Sequence, residues 1–378
     1  MTRGLQIGIL SVVPSPYQRD LFSALAKRPE VDLSVFYQSV ERIDNPWPES
    51  VLQPYESALP GRRFSYGAKH LFLNWDLPDL RSFDAVILNT SHASPTAQWL
   101  MRTQLHEVPW IFWGERLRQQ LNPFRRLAHA VLTNPLSEAS AIACIGSIAV
   151  EAYRERFPDQ RLANIPYHCD LGPFLSTSSK SESSEVVFLF CGQMIRRKGI
   201  DLLLDAFDRL VHDNAPVRLR LVGTEADLSR HMSEMSESGR RRVEVLGFQA
   251  PEDLPELFQQ ADVFVLPSRH DGWGVVVNEA LGSGLPIICS DAVGAAHDLV
   301  VPGENGVRIP AGEVEPLREA MARMVDRPDL RTQWGQNSRA TAADWSPEAG
   351  AERWINLLGK VLAPSAAPSA VNSPGNET

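Results

Sequence analysis

The chain has 378 residues, 43% of them hydrophobic, and a formal charge of -9 from 37 Lys and Arg against 46 Asp and Glu. Such a length exceeds one ordinary hydrophobic core and suits two α/β domains of similar size. The acidic balance excludes nucleic acid as the main partner, because gripping a phosphate backbone needs a basic excess.

In chain order, LQIGILSVV (5–13) reads as a first strand, PSPYQ as a loop, and RDLFSALAKR (19–28) as an amphipathic helix with Leu21, Phe22 and Leu25 on one face. The strand VDLSVFY follows. FDAVILNT (83–90), VPWIFWGE (108–115) and ASAIACIG (139–146) are further short apolar runs, bounded by turns and separated by helix-length stretches. Strands alternating with helices predict a parallel sheet covered by helices. After Ile165, PYHCDLGPFLSTSSKSESSE is rich in Pro, Gly and Ser, which marks a linker.

The second half repeats the pattern: strand VVFLFCG (186–192), helix GIDLLLDAFDRLV, strands VRLRLVG and VEVLGF, helix DLPELFQQA, strand DVFVLP, helix VVVNEALGSG and strand PIICS. The predicted fold class is therefore α/β, with two doubly wound, Rossmann-like domains facing across a cleft. Ligands of such sheets bind outside the carboxyl ends of the strands. The predicted divisions are 1–170, 171–345, a final helix over 346–363, and a tail over 364–378 that lacks aromatic residues and reads as disordered. Cys144, Cys169, Cys191 and Cys289 have no CxxC spacing, as expected of buried thiols in a reducing compartment. No leader pattern and no apolar run of about 18 residues is present, so the expected location is the cytoplasm, with at most peripheral contact at the inner face of a membrane.

The most informative stretch is PSRHDGWGVVVNEALGSGLPII (267–288). An apolar run stops at Pro267, Gly272 and Gly274 follow, and Asp271 is matched by Glu279 eight residues on. Glycines permit close backbone approach, so main-chain amides at a helix start can face a diphosphate, and flanking acids can accept hydrogen bonds from sugar hydroxyls. On the residues alone, an ordinary strand-to-helix turn with solvated acids is the favoured reading.

This stretch resembles the acid-x7-acid signature of retaining nucleotide-sugar glycosyltransferases of family 4, with Asp271 where Glu is usual. The shorter carboxylate must sit closer to the sugar, which bears on donor identity more than on the reaction. The resemblance implies the glycosyltransferase B arrangement, with Glu279 on the nucleotide ribose and Asp271 on the donor sugar. It also implies that the backbone of Gly272, Trp273, Gly274, Val275 and Val276 holds the diphosphate. CGQMIRRKGIDLLLDAF (191–207) is similar to the family's Gly-Arg-x4-Lys-Gly pattern. Lys198 and Gly199 match its second half, while Gln193 stands at the Arg position, so that Arg196 or Arg197 compensates or the site works with one strong cation. A cation at the β-phosphate stabilises the charge that develops on a leaving nucleoside diphosphate.

Gly223 and the pair Gly247 and Phe248 end strands where the family holds its nucleotide, although glycine at a strand end also serves simple turns. On the N-terminal side, PSPYQRDLF stands in place of the family's glycine-rich loop without paired glycines, leaving Ser15 and Tyr17 as donors to a sugar or phosphate. His92 follows a strand end near the point where related enzymes often have a histidine touching the donor sugar; alone, it reads equally as structural. Glu115 and Arg116 end another strand and would orient acceptor hydroxyls. Arg116, Arg118, Arg125 and Arg126, interleaved with Leu117, Leu121 and Phe124, form either a helix with locally paired arginines or a surface that lies on an anionic bilayer.

The expected function is a retaining, metal-independent glycosyltransferase of polysaccharide or lipid-linked glycan assembly. It would move a sugar from a UDP- or GDP-linked donor to a hydroxyl of a glycan, lipid-linked or small-molecule acceptor. The nucleotide sugar is a substrate, and no cofactor or metal is expected. A nucleotide-sugar epimerase of similar shape and a non-catalytic nucleotide-sugar-binding protein are the alternatives.

Overall fold

The structure, a computed structural model, describes residues 3–41, 51–66, 69–117, 123–176 and 184–363. The tail expected from 364 onward, Arg118, Leu121 and the Ser-rich part of the linker lie outside the described residues.

The N-terminal domain is built on β1 (Leu5–Ser11), β2 (Val31–Tyr37), β3 (Glu56–Ala58), the hairpin β4 (Gly61–Tyr66) and β5 (Lys69–Asn74), then β6 (Ala85–Asn89), β7 (Trp110–Gly114), β8 (Ala141–Cys144) and β9 (Leu162–Asn164). Seven of these form one parallel sheet in the order β3-β2-β1-β6-β7-β8-β9, while β4 and β5 pair antiparallel. The C-terminal domain has β10 (Val186–Cys191), β11 (Val217–Val222), β12 (Val243–Gly247), β13 (Val263–Leu266), β14 (Ile287–Ser290) and β15 (Gly306–Ile309), in the parallel order β12-β11-β10-β13-β14-β15. The expected two Rossmann-like domains are therefore present. Their central strands are continuous apolar runs because helices cover both faces, and Phe188, Leu189 and Phe190 are fully buried.

The strand order reverses at β1/β6 in one domain and at β10/β13 in the other, which opens a crevice at the carboxyl end of each sheet. The first helix runs Pro16–Ala26, three residues earlier than the sequence pattern suggests. Pro16 at the helix start loses nothing by lacking an N–H, since no intrahelical acceptor exists there. The last helix, Pro347–Leu362, is capped by Ser346, whose hydroxyl accepts from the Ala349 amide. It packs on the N-terminal domain: Trp354 lies edge-on to Trp113 at 5.2 Å between centroids, and Arg28 pairs with Glu352 at 3.0 Å. Further ties between the domains run from Asp298, which accepts from the Ser147 amide and hydroxyl at 2.9 Å and from Asn164 at 2.7 Å.

Candidate active site

In the C-terminal domain, the loops after β10 and β13 lie side by side at the switch point. Gly199 has φ +77, and a side chain there would meet the Pro267 carbonyl oxygen at 2.1 Å, so only glycine lets the basic loop seat against the second loop. Arg269 joins them further. Its amide donates to the Arg197 carbonyl at 2.8 Å, and its guanidinium reaches the Arg196 carbonyl and clamps Asp201 at 2.6 and 2.8 Å. The result brings Lys198 onto Asp271, to whose carboxylate its ammonium donates. Arg196 and Arg197 are both exposed; Arg197 donates to the His270 carbonyl at 3.1 Å and acts electrostatically on Glu115, while the Arg196 amide donates to Asp227 at 3.2 Å. Of the two arginines beside Gln193, Arg197 is thus the one that faces the charged cluster.

Beyond Asp271, the amides of residues 272 to 276 donate to no group among the described residues. Gly274, at φ +88, turns this run toward the helix Val276–Gly282, and consecutive undonated amides form a concavity suited to an anion. Glu279 stands on the first turn of that helix. Protein encloses its carboxyl and raises it to about 7, with the charge of Asp20 pushing the same way, and no hydrogen bond to it exists among the described residues. The Trp273 side chain is 1% exposed and points away from this run. Its indole donates to Asn278 at 2.9 Å and packs near Trp345 and Gly146, so only the Trp273 backbone remains for a ligand.

Opposite lies a cavity of about 1120 Å³ at the carboxyl ends of β1, β6 and β7. Its floor carries a buried polar network in which Gln18 accepts from the Ser15 hydroxyl at 2.7 Å and donates to Asn89 at 2.6 Å. Ser15 and Tyr17 both line the cavity, Ser15 buried with its hydroxyl donated to Gln18 and Tyr17 beside Tyr167 at 4.9 Å between ring centroids. Enclosure holds His92 neutral, its pKa lowered to about 4 with His129 contributing, and it packs edge-on to His129 and Phe112 along the wall. Glu115 is where the two halves meet. A side chain on Gly272 would come within 1.9 Å of the Glu115 carboxylate, so glycine there makes room for this acid. Enclosure raises Glu115 to about 7, Asp271 pushes further, and Lys198 and Arg197 pull against them; cleft water still reaches the side chain. Arg116 crosses the gap to the His270 ring at 3.2 Å.

The structure thus gathers Lys198, Asp271, Arg197, Gly272, Gly274, Glu115 and Arg116 in one place. Gly223 is required by packing. A side chain there would strike the Gly192 carbonyl oxygen at 2.0 Å, so its φ of +131 serves the packing of two strand-end loops. Gly247, at φ +66, ends β12 beside a register shift, and Phe248 is 40% exposed. Sequence reasoning missed Arg269, the Gln18–Asn89 network, Tyr167 and the hairpin whose Phe64 and Leu71 line the cavity. Alternating apolar residues around Gly67 were the available signal for the hairpin.

All four cysteines are free. Among the described residues no cluster of three or more metal-type ligands occurs, and no helix is long and apolar enough to cross a membrane.

Residues 174–341 match the family model for glycosyl transferases group 1. The match lies in the C-terminal half of the chain. Lys198, Asp271 and Glu279 all fall within it. The chain is 23% identical over 296 residues to the GDP-mannose-dependent monoacylated alpha-(1-6)-phosphatidylinositol monomannoside mannosyltransferase of Corynebacterium glutamicum, covering 72% of this chain and 73% of that protein. It is 25% identical to alpha-D-kanosaminyltransferase of Streptomyces kanamyceticus, over 46% of each. Among solved structures, sucrose-phosphate synthase of Thermosynechococcus elongatus superposes with a TM-score of 0.73 at 22% identity, over 96% of this chain and all of that one. Anabaena HepE in complex with UDP gives 0.71 at 17% identity, over 94% of this chain and all of that one. These likenesses establish a glycosyltransferase B fold around the group 1 domain.

Proposed function

We propose that this chain transfers a sugar from a UDP- or GDP-linked donor to an acceptor hydroxyl, with retention of anomeric configuration. The observation that carries the reading is the Lys198–Asp271 pair beside five consecutive undonated amides, at the switch point of the group 1 domain and facing the N-terminal cavity. The Lys198 ammonium, with Arg197 beside it, would neutralise the charge that grows on the leaving diphosphate, and the 272–276 amides would bind its oxygens without reorganising. Asp271 would accept from a donor-sugar hydroxyl and Glu279 from the ribose. The acceptor, a glycan, lipid-linked or small molecule, would enter the cavity of the N-terminal domain, where Glu115 and Arg116 meet the donor site. The leaving diphosphate would take the acceptor proton on the face it vacates, and cleft closure would exclude water from the donor.

The solved relative with UDP and the curated relative named for GDP-mannose support a nucleoside diphosphate donor and leave both bases open. The test is a panel of nucleotide sugars screened for thermal stabilisation, followed by product analysis with the stabilising donor. Lys198→Ala is expected to lower kcat/KM at least about tenfold, equal to roughly 1.4 kcal/mol of transition-state stabilisation, with the fold intact. Undiminished turnover in this variant would remove the assignment, and isomerised donor in place of transfer would identify an epimerase.

A further inference from the structure

The helix Pro123–Thr133 is packed inside out for a soluble surface. Phe124, Leu127 and Val131 lie on one stripe, at spacings of three and four residues, and are 82%, 67% and 56% exposed. His129 and Ala130 are half-buried, and Thr133, on the side away from that stripe, is fully buried. Across the mouth of the N-terminal cavity, the β4–β5 hairpin repeats the arrangement. Phe64 pairs with Leu71 and Arg62 with Leu73, which puts all four on one face, and that face is exposed while Phe72 on the other is buried. Phe64 and Leu71 on one rim, and Ala128 and Leu132 on the other, line the cavity itself.

The charge around these rims is equally one-sided. Residues 57–75 contain Arg62, Arg63 and Lys69, and residues 116–137 contain Arg116, Arg118, Arg125 and Arg126, without one Asp or Glu in either segment of a chain whose net charge is -9. Arg62 and Arg126 are exposed. Exposed apolar side chains flanked by Arg62 and Arg126, in two segments that contain no carboxylate although Glu41 pairs with Arg63 from outside at 3.7 Å, match an interface of anionic headgroups over acyl chains. A protein partner of ordinary composition would not require such a charge excess.

We propose that the rims of the N-terminal cavity dock on an anionic lipid bilayer, with Phe124, Leu127, Val131, Phe64, Leu71 and Leu73 entering the headgroup region, so that the cavity opens toward the membrane. The inference stands apart from sugar transfer, since docking requires no donor. The test is co-sedimentation of the full chain with vesicles of phosphatidylcholine containing about one-third phosphatidylglycerol, against phosphatidylcholine alone. The wild type is expected in the pellet only with the anionic vesicles, less so at high salt. Leu127→Asp on one rim and Leu73→Asp on the other are each expected to lower the bound fraction at least about fivefold with unchanged melting temperature. Arg126→Glu is expected to weaken binding at low salt.

A wild type that stays in the supernatant, or a Leu127→Asp variant that melts normally and binds as the wild type does, would overturn the proposal. So would a wild-type dimer that Leu127→Asp turns into a monomer, because a second copy would then cover this face. Vesicle binding without any turnover would leave the docking surface standing and count only against sugar transfer.

Discussion

Glu279 illustrates a residue whose environment works against stability. Its carboxyl is raised from 4.5 to about 7 by enclosure and then by Asp20. Below about 4.5 both folded and unfolded chains hold the proton; between there and about 7 the unfolded chain releases it first, so stability falls as pH rises and the loss is complete above about 7. Glu279→Gln is therefore expected to melt higher than the wild type at pH 8, with the gap closing toward pH 4.5 in thermal scans across pH. Ligand binding should run the other way. In the proposed complex ribose hydroxyls would donate to the ionised form, so nucleotide affinity in the wild type should weaken by up to about tenfold per unit below pH 7, and titration calorimetry should find this dependence absent in Glu279→Gln. Asp271 and Glu279 are eight residues apart and could be read as a pair from the chain itself. The raised pKa could not, because it comes from burial in the folded protein and from the charge of Asp20, a residue far away in the chain.

At the scale of elements, two glycines have opposite sensitivities. At Gly199 a methyl group meets backbone, the Pro267 carbonyl oxygen, in a left-handed conformation that itself costs about 1–2 kcal/mol for other residues. Gly199→Ala is expected to destabilise by more than that conformational cost alone, as denaturant titration would measure. At Gly272 the obstacle is the mobile end of the Glu115 side chain. Gly272→Ala should melt within a few degrees of the wild type yet lose activity by displacing Glu115, with the deficit in kcat/KM reproduced, not added to, by Glu115→Gln. The strands and helices that carry these loops were legible, since apolar runs and turn residues are local signals. The hairpin β4–β5 was overlooked although its pairing is local, Gly61 facing Asn74, whereas the Gln18–Asn89 network was not legible because its partners are 71 residues apart.

For the whole molecule, the positive charge at the donor site comes from Lys198, Arg197 and peptide dipoles, so activity with a nucleotide sugar is expected to be unchanged by a chelator such as EDTA; loss of turnover restored by a divalent ion would refute metal independence. The two domains form the proposed catalytic surface through their contacts. Asp298 on Ser147 and Asn164, Trp273 on Gly146, and the final helix on Trp113 together set the position of Glu115 against Gly272.

By itself the sequence determined the two alternating sheets and the chemical make-up of the 271–279 motif, because strand and helix periodicity and the order Asp271, Gly272, Gly274, Glu279 are properties of short segments. Only the tertiary structure decided which of these groups meet. Lys198 reaches Asp271 from 73 positions away, Ser15 donates its hydroxyl to Gln18, Gly223 serves a neighbouring loop, and an amphipathic helix shows its apolar face to solvent. Proximity across a cleft depends on how the two sheets pack around a buried cluster that both domains share, and no local pattern encodes that.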